Sequence, residues 1–164
     1  MLPAMAYSIY WEDFPVGDVR EFGATPVTRE MIVEFASRYD PQPFHVDEEA
    51  ARQSLFGGLC ASGWHTSALA MRMMCDEYLL KAASLGSPGI DNLRWLKPVF
   101  AGDTLSVRLT VLATRPMASK PHVGLVQSRW EVLNQRRETV MTMEGWGMYR
   151  RRDVAAPAVG ENPR

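Results

Sequence analysis

The strongest constraint on the fold is a change in hydrophobic period near the middle of the chain. Before it, residues 62–82 carry apolar side chains on more than one face of a helix, which predicts one long helix buried on most sides. From Gly89 onward the apolar residues recur at every second position, as in half-buried strands, most clearly from Leu105 to Val111. One long helix followed by consecutive strands predicts an α+β fold with an antiparallel sheet.

The flanking segments add further elements. Thr28 is a good helix cap, and the apolar residues after it recur at helical spacing, which predicts a helix from residue 29 to about Tyr39. Pro41 and Pro43 end that helix. The remaining predicted elements are an extended stretch over residues 6–27, a short polar helix Val46–Arg52, and strands Asn92–Val99, Val123–Leu133 and Thr139–Tyr149, with a polar turn at residues 134–137.

The length of the chain favours one domain with a sizeable core. A chain of 164 residues can bury roughly two-thirds of its unfolded surface. Apolar residues make up 46% of the sequence, which excludes disorder for most of it. We therefore expect a single domain over residues 1–150. Residues 151–164 are mostly small or polar and predict a disordered tail.

The charge balance and the cysteines limit the partners and the compartment. With 18 Lys and Arg against 19 Asp and Glu, the net charge of −1 offers no basic surface for nucleic acid. Cys60 and Cys75 fit no metal spacing, so we expect no metal site and free thiols in a reducing compartment. The uncharged run Gln53–Met71 is too polar to cross a bilayer, and the first residues lack the features of a secretion signal. The sequence predicts a cytoplasmic protein with no membrane contact.

The segment most indicative of chemistry is the proline-rich loop that follows the first predicted helix. Asp40 and His45 lie five residues apart in it, and Pro41 and Pro43 stiffen the backbone between them. A carboxylate beside an imidazole can orient the ring and stabilise its charged form. The two groups together can hold one water molecule and move its proton. By spacing alone, an acidic and a histidine residue in a loop also fit ordinary turn chemistry with surface side chains.

Three blocks of the sequence resemble the MaoC-like family. Residues 40–45, Asp-Pro-Gln-Pro-Phe-His, are similar to that family's motif Asp-x-Asn-Pro-x-His. Residues 59–63, Leu-Cys-Ala-Ser-Gly, resemble the entry to its central helix, where His-Gly is common. Residues 93–112, LRWLKPVFAGDTLSVRLTVL, resemble a strand pair of the family. The blocks occur in the family's order, and the resemblance covers about residues 10–150.

The resemblance implies a hot-dog fold, in which a curved antiparallel sheet wraps around one long helix. It also implies an acyl-CoA hydratase or dehydratase, because the best-known proteins of this kind are (R)-specific enoyl-CoA hydratases. These add water across the 2,3-double bond of an enoyl thioester. They act as homodimers with the acyl-CoA tunnel at or near the subunit interface. They need no metal or redox cofactor, and coenzyme A is part of the substrate.

The resemblance also implies roles for five residues. Asp40 is the expected base that activates water, and His45 is expected to hold the same water and to share in protonating the α-carbon. The backbone amide of Gly63 is expected to polarise the thioester carbonyl at a helix start. Ser62 and Gln42 are expected to contact substrate. They also depart from the family pattern, which has His and Asn at these positions, so any bond from position 42 that braces the pair must be re-formed.

Two other functions fit the same fold. A hot-dog thioesterase would use Asp40 or His45 to direct water at the carbonyl carbon. Such enzymes generally place their acid on the central helix, where this chain has only Asp76 and Glu77, late in the predicted helix. The departures at Gln42 and Ser62 also fit an acyl-thioester-binding module without catalysis.

Several other residues are predicted to have structural or surface positions and no role in catalysis. His65 is predicted to be packed and hydrogen-bonded, and His122 to lie at the surface. Most basic residues are expected to be solvated, although a few would suit the phosphates of coenzyme A: Arg115, Lys120 and Arg150–Arg152. The residues expected chiefly in the core are Met71, Met73, Met74, Met141, Met143, Trp95, Trp130 and Trp146.

Overall fold

The structure is a computed structural model that describes residues 6–156. Its strands are β1 (Val19–Pro26), β2 (Ser84–Gly86), β3 (Ile90–Trp95), β4 (Thr104–Met117), β5 (Lys120–Leu133) and β6 (Thr139–Arg150). Its α-helices are α1 (Arg29–Tyr39), α2 (Pro43–Val46), α3 (Glu48–Arg52) and α4 (Gly63–Met74). A 3₁₀ helix spans Trp11–Asp13, and a π-helical turn spans Cys75–Leu79.

The six strands form one antiparallel sheet. The order is β1-β4-β5-β6, and both β2 and β3 pair with the far edge of β6. The long strands β4, β5 and β6 carry most of the pairing because their alternating apolar residues bury one face. Helix α4 packs against this sheet through β1 and β4. The predicted α+β class is confirmed.

The first helix begins and ends where the sequence predicts. The Thr28 hydroxyl accepts a hydrogen bond from the Met31 amide at 3.2 Å and caps the free amides of α1. The helix ends at Tyr39, before Pro41. The loop after it differs from the prediction, because Pro43 starts the short helix α2. Proline suits that position since the first amides of a helix have no intrahelical partner.

The long helix differs in two ways from the one predicted over residues 62–82. Regular α-helix ends at Met74, and the π-helical turn continues it to Leu79. Burial on most sides was also wrong, because Trp64, Met71 and Leu80 are exposed along one side. The opposite side packs into the core through residues such as Ala70, Met73, Met74 and Tyr78.

Two more differences concern short elements. The stretch predicted as extended contains the 3₁₀ helix before β1, where Asp13 accepts a hydrogen bond from the Tyr10 amide at 2.8 Å. Strand β2 is absent from the prediction because its three residues, Ser-Leu-Gly, have no alternation to detect. No helix within residues 6–156 is long and apolar enough to cross a membrane.

The two ends of the described chain meet on the sheet. The Trp11 ring lies against Gly124 of β5, and its Nε1 donates a hydrogen bond to the Leu125 carbonyl at 3.1 Å. The Arg151 guanidinium stacks on the same ring, 5.2 Å from its centroid. Arg152 forms an ion pair with Asp13 at 2.7 Å. The predicted tail therefore begins with two residues held by contacts, and residues 157–164 lie outside the described part.

The contact between Trp11 and Gly124 predicts a large effect on stability. A Cβ at Gly124 would collide with the indole, so Gly124→Ala is expected to lower the free energy of unfolding by about 1–3 kcal/mol. Urea unfolding measures the change. Gly89→Ala is the matched control, since a Cβ there meets no atom within 4 Å. Equal stability of the two variants would contradict the prediction.

Candidate active site

Asp40 and His45 meet at the end of the first helix. Asp40 caps α1, with its amide donating to the Ala36 carbonyl at 2.8 Å, and His45 lies on α2. The Gln42 amide donates to the Asp40 carbonyl at 2.8 Å, which tightens the turn between them. The Asp40 Oδ2 and His45 Nε2 atoms lie 3.5 Å apart. That distance is too long for a good direct hydrogen bond, and one water molecule can bond to both atoms.

His45 is held in one orientation by a backbone carbonyl. The ring is 6% exposed, and its Nδ1 lies 2.7 Å from the Cys60 carbonyl oxygen. A carbonyl can only accept, so Nδ1 carries a hydrogen and the neutral ring has its lone pair on Nε2, facing Asp40. Burial raises the pKa of the Cys60 thiol to about 11, which keeps it protonated. No sequence pattern points to this role of Cys60, because the contact with the ring uses only its backbone carbonyl.

Both oxygens of Asp40 accept hydrogen bonds. The Ser62 hydroxyl donates to Oδ2 at 2.6 Å, and the Gln42 Nε2 donates to Oδ1 at 2.7 Å. Burial by itself would raise the pKa of Asp40, but the hydrogen bonds from Ser62 and Gln42 lower it below the usual value. Asp40 is therefore a carboxylate at neutral pH. Gln42 thus braces Asp40 despite its longer side chain, and the Ser62 hydroxyl points to Asp40 as well.

Gly63 lies at the start of α4, next to this pair. Ser62 caps the helix by accepting from the Trp64 amide at 3.3 Å, so the first amides of the helix face the same region. The Trp95 ring lies directly on Gly63, and a Cβ at position 63 would collide with it. Position 63 thus requires glycine because another side chain approaches its backbone.

A cleft of about 490 Å³ joins these groups. All five residues singled out by the sequence line it: Asp40, Gln42, His45, Ser62 and Gly63. Sequence reasoning missed an apolar and aromatic part of the lining that includes Phe44, Phe56, Trp64, Trp95 and Val140. Lys97 also lines the cleft and pairs with Glu138 at 2.5 Å. The cleft combines a polar end with an apolar wall.

The predictions for the tryptophans and methionines have mixed outcomes. Trp130 is in the core, where its Nε1 donates to the buried Tyr78 hydroxyl at 3.2 Å. Placing Trp95 in the core was wrong, because it is 46% exposed at the end of an edge strand. Trp146 is half-buried beneath Arg115. Met71 is exposed, and the other methionines expected inside are buried in the core: Met73, Met74, Met141 and Met143.

The remaining histidines and basic residues lie away from this cleft. His65 is packed as predicted and stacks on Phe35 with ring centroids 4.7 Å apart, but its Nδ1 has no hydrogen-bond partner within residues 6–156. Burial lowers the pKa of His65. His122 is partly buried at the start of β5. The cleft lining includes none of the basic residues considered for phosphates.

Comparisons with known proteins agree with this architecture. A family model described as "MaoC like domain" matches residues 13–131. The crystal structure of a MaoC-like dehydratase from Rhodospirillum rubrum superposes with a TM-score of 0.83 at 42% identity, covering 90% of this chain and 100% of that one.

The matches to two curated relatives cover very different shares of those proteins. The chain is 28% identical to the uncharacterized protein YdeM of Bacillus subtilis over 133 residues, which is 81% of this chain and 93% of YdeM. It is 46% identical to mesaconyl-CoA hydratase of Cereibacter sphaeroides over 65 residues, which is 40% of this chain and 19% of that enzyme. From the family match and the shared hot-dog fold, we conclude that the chain belongs to the MaoC-like dehydratase family.

Proposed function

We propose that the protein is an enoyl-CoA hydratase/dehydratase that adds or removes water across the 2,3-double bond of an acyl-CoA thioester. The observation that carries the proposal is the 3.5 Å gap between Asp40 Oδ2 and His45 Nε2, beside the start of α4. Membership of the MaoC-like family supports it, as does the partial match to a hydratase of a CoA thioester.

The proposed hydration begins with one water molecule that lies beside Asp40 Oδ2 and His45 Nε2, within hydrogen-bond reach of both atoms. Asp40 and the neutral ring of His45 each accept a hydrogen bond from it. As the water oxygen bonds to the β-carbon, one hydrogen passes to this pair as a proton, and the electrons of the double bond move toward the carbonyl oxygen. The Gly63 amide donates to that oxygen as its charge grows, where the helix dipole adds to the stabilisation. The pair then delivers a proton to the α-carbon, and dehydration is the reverse.

We propose that this reaction needs no metal or redox cofactor. Addition of water to a conjugated thioester transfers protons and changes no oxidation state of an external group. The coenzyme A moiety is part of the substrate. No group of three or more His, Cys, Asp or Glu side chains suited to a metal ion occurs in the described part of the chain.

A substrate panel tests the proposed function. The full chain is incubated with crotonyl-CoA and with longer and branched enoyl-CoAs, and loss of the conjugated thioester absorbance is followed. We expect hydration of at least one substrate without release of free coenzyme A. Release of free thiol would instead indicate a thioesterase. Thermal stabilisation by CoA esters with no turnover in the whole panel would indicate the non-catalytic binding module.

The thioesterase alternative has less support. It calls for an acid on the central helix, but Asp76 and Glu77 lie in the π-helical turn, exposed and absent from the cleft lining. Asp76 forms an exposed ion pair with Arg72 at 3.0 Å. Neither residue can direct water onto a thioester bound beside Gly63.

We also propose that the protein is a homodimer. Strand β3 lies at an edge of the sheet, and apolar side chains are exposed on it and on the adjacent side of α4. We call this surface the α4–β3 face, made of Trp64, Met71, Ile90, Trp95 and Leu96. Exposed apolar side chains grouped on one surface favour association with another chain. A second copy would cover it and close one side of the cleft, to which Trp64, Trp95 and Leu96 also contribute.

Met71→Lys is therefore expected to convert a dimer into a monomer. A charge at position 71, within the α4–β3 face, would be buried without a partner in the dimer, which opposes association. Light scattering after size-exclusion chromatography measures the mass. Leu55→Lys is the matched control, because Leu55 is fully exposed outside this face. A wild-type monomer, or a Met71→Lys variant that dimerises as well as wild type, would contradict the proposal.

We further propose a cytoplasmic location. Cys60 and Cys75 are both free thiols in the structure, which suits a reducing compartment.

A further inference from the structure

The Ser62 side chain contacts both the start of α4 and Asp40. Its hydroxyl oxygen accepts a hydrogen bond from the Trp64 amide at 3.3 Å, at the start of α4. Its hydroxyl hydrogen is donated to Asp40 Oδ2 at 2.6 Å, 22 residues away in sequence. The side chain is 1% exposed, so solvent does not compete for either bond. Its only hydroxyl hydrogen is committed to Asp40 and is not available to a substrate.

We infer that Ser62 is a positioning residue for Asp40, which holds the carboxylate at the distance from His45 at which one reacting water can bond to both groups. This inference rests on the proposed function and assigns Ser62 a role other than the substrate contact implied by the family resemblance. Oδ2 is the same oxygen that faces His45 Nε2 at 3.5 Å. Without the Ser62 hydroxyl, nothing on the α4 side holds Oδ2, and it can move into direct contact with the ring.

The groups that face Asp40 predict how loss of the Ser62 hydroxyl changes the pH dependence of activity. His45 faces it from α2, the Cys60 thiol lies behind that ring, and Lys97 lines the cleft but is paired with Glu138. Loss of the Ser62 bond removes a cause that lowers the pKa of Asp40, so its pKa rises. Protonation of Asp40 removes one acceptor for the reacting water, so activity is lost at a higher pH than in wild type.

The test compares Ser62→Ala, Ser62→Gly and Ser62→Thr with wild type over a range of pH. For Ala and Gly we expect kcat to fall about 10- to 100-fold, the effect of one hydrogen bond to a charged group. We expect KM to change little and the acid limb of the pH profile to move to higher pH. Thr retains the hydroxyl and is expected to restore both. Ser87→Ala is the control with an unshifted pH profile, because the Ser87 hydroxyl bonds only with Gly89 in an exposed turn.

Glycine separates positioning from helix capping, because it replaces serine at a cap with a loss of only a few tenths of a kcal/mol. A Ser62→Gly variant with wild-type kcat and pH profile would reduce Ser62 to a cap and overturn the inference. A raised KM with unchanged kcat and acid limb would assign Ser62 to substrate binding and overturn it as well.

A second measurement does not depend on turnover. The pKa of Asp40 is followed by carbon NMR of protein labelled at the aspartate carboxyls, with Asp40→Asn used to assign the signal. The inference requires a higher pKa in Ser62→Ala than in wild type, and an unchanged pKa overturns it. A wild-type protein inactive on every enoyl-CoA, but with the expected shift, would count against the proposed function and leave the positioning contact standing.

Discussion

Asp40→Asn and His45→Gln are each expected to lower kcat/KM for enoyl-CoA hydration by about 10²–10⁴, the usual loss when a general acid–base partner is removed. Asparagine has nearly the same shape as aspartate but no charge, so it cannot accept a proton from water. Glutamine in place of His45 removes the Nε2 lone pair that faces Asp40 across the 3.5 Å gap. Initial rates of absorbance loss with the best substrate of the panel measure both variants.

The double variant, Asp40→Asn with His45→Gln, tests whether the two residues act on the same water molecule. Because both groups bind the same water in the proposed mechanism, the combined loss is expected to be close to that of the worse single variant and well short of the product. Asp76→Asn is the control, since this carboxylate is exposed and outside the cleft lining. Wild-type rates in Asp40→Asn, or full multiplication of the two losses, would contradict the shared-water mechanism.

Gly63→Ala is expected to damage both catalysis and stability. A Cβ at this position would collide with the Trp95 indole, so either the ring or the start of α4 must move. Overpacking of this kind costs about 1–3 kcal/mol of folding free energy. Displacing a donor to a developing oxyanion lowers kcat by about 10²–10³. Urea unfolding and steady-state kinetics measure the two effects separately.

A double-mutant cycle with Trp95→Ala identifies the cause of the damage. If the clash with the indole is responsible, Gly63→Ala should cost much less stability in the Trp95→Ala background than in wild type. Equal costs in both backgrounds would show that the glycine is needed for some other reason. A fully active and stable Gly63→Ala variant would remove the Gly63 amide from the proposed mechanism.

The elements that the sequence predicts well are those fixed by local preference. Thr28 caps α1, the prolines end it, and strict alternation over residues 105–111 gives the buried face of β4. These signals depend on neighbours a few residues apart. The π-helical turn at Cys75–Leu79 and the short strand β2 lack such signals, because the packing of distant segments determines them.

The candidate site also contains residues that the sequence indicates and contacts that it does not. The motif over residues 40–45 and the family resemblance pick out Asp40 and His45 as a pair, since the prolines limit the loop between them. The partners of that pair are remote in sequence. The Cys60 carbonyl orients the ring, and the Ser62 hydroxyl holds the carboxylate across 22 residues. Single-sequence patterns carry no information on such contacts.

By itself, then, the sequence determined the class of fold and the order of the main elements, because periodicity, capping and proline constraints act locally. The family resemblance singled out Asp40 and His45 as the candidate pair. Tertiary structure alone decided the 3.5 Å separation of that pair, the commitment of Ser62 to Asp40 and the placement of Trp95 on Gly63. The reason is physical: these contacts exist only when α4 packs on the sheet and brings together the loop after α1, the start of α4 and the end of β3.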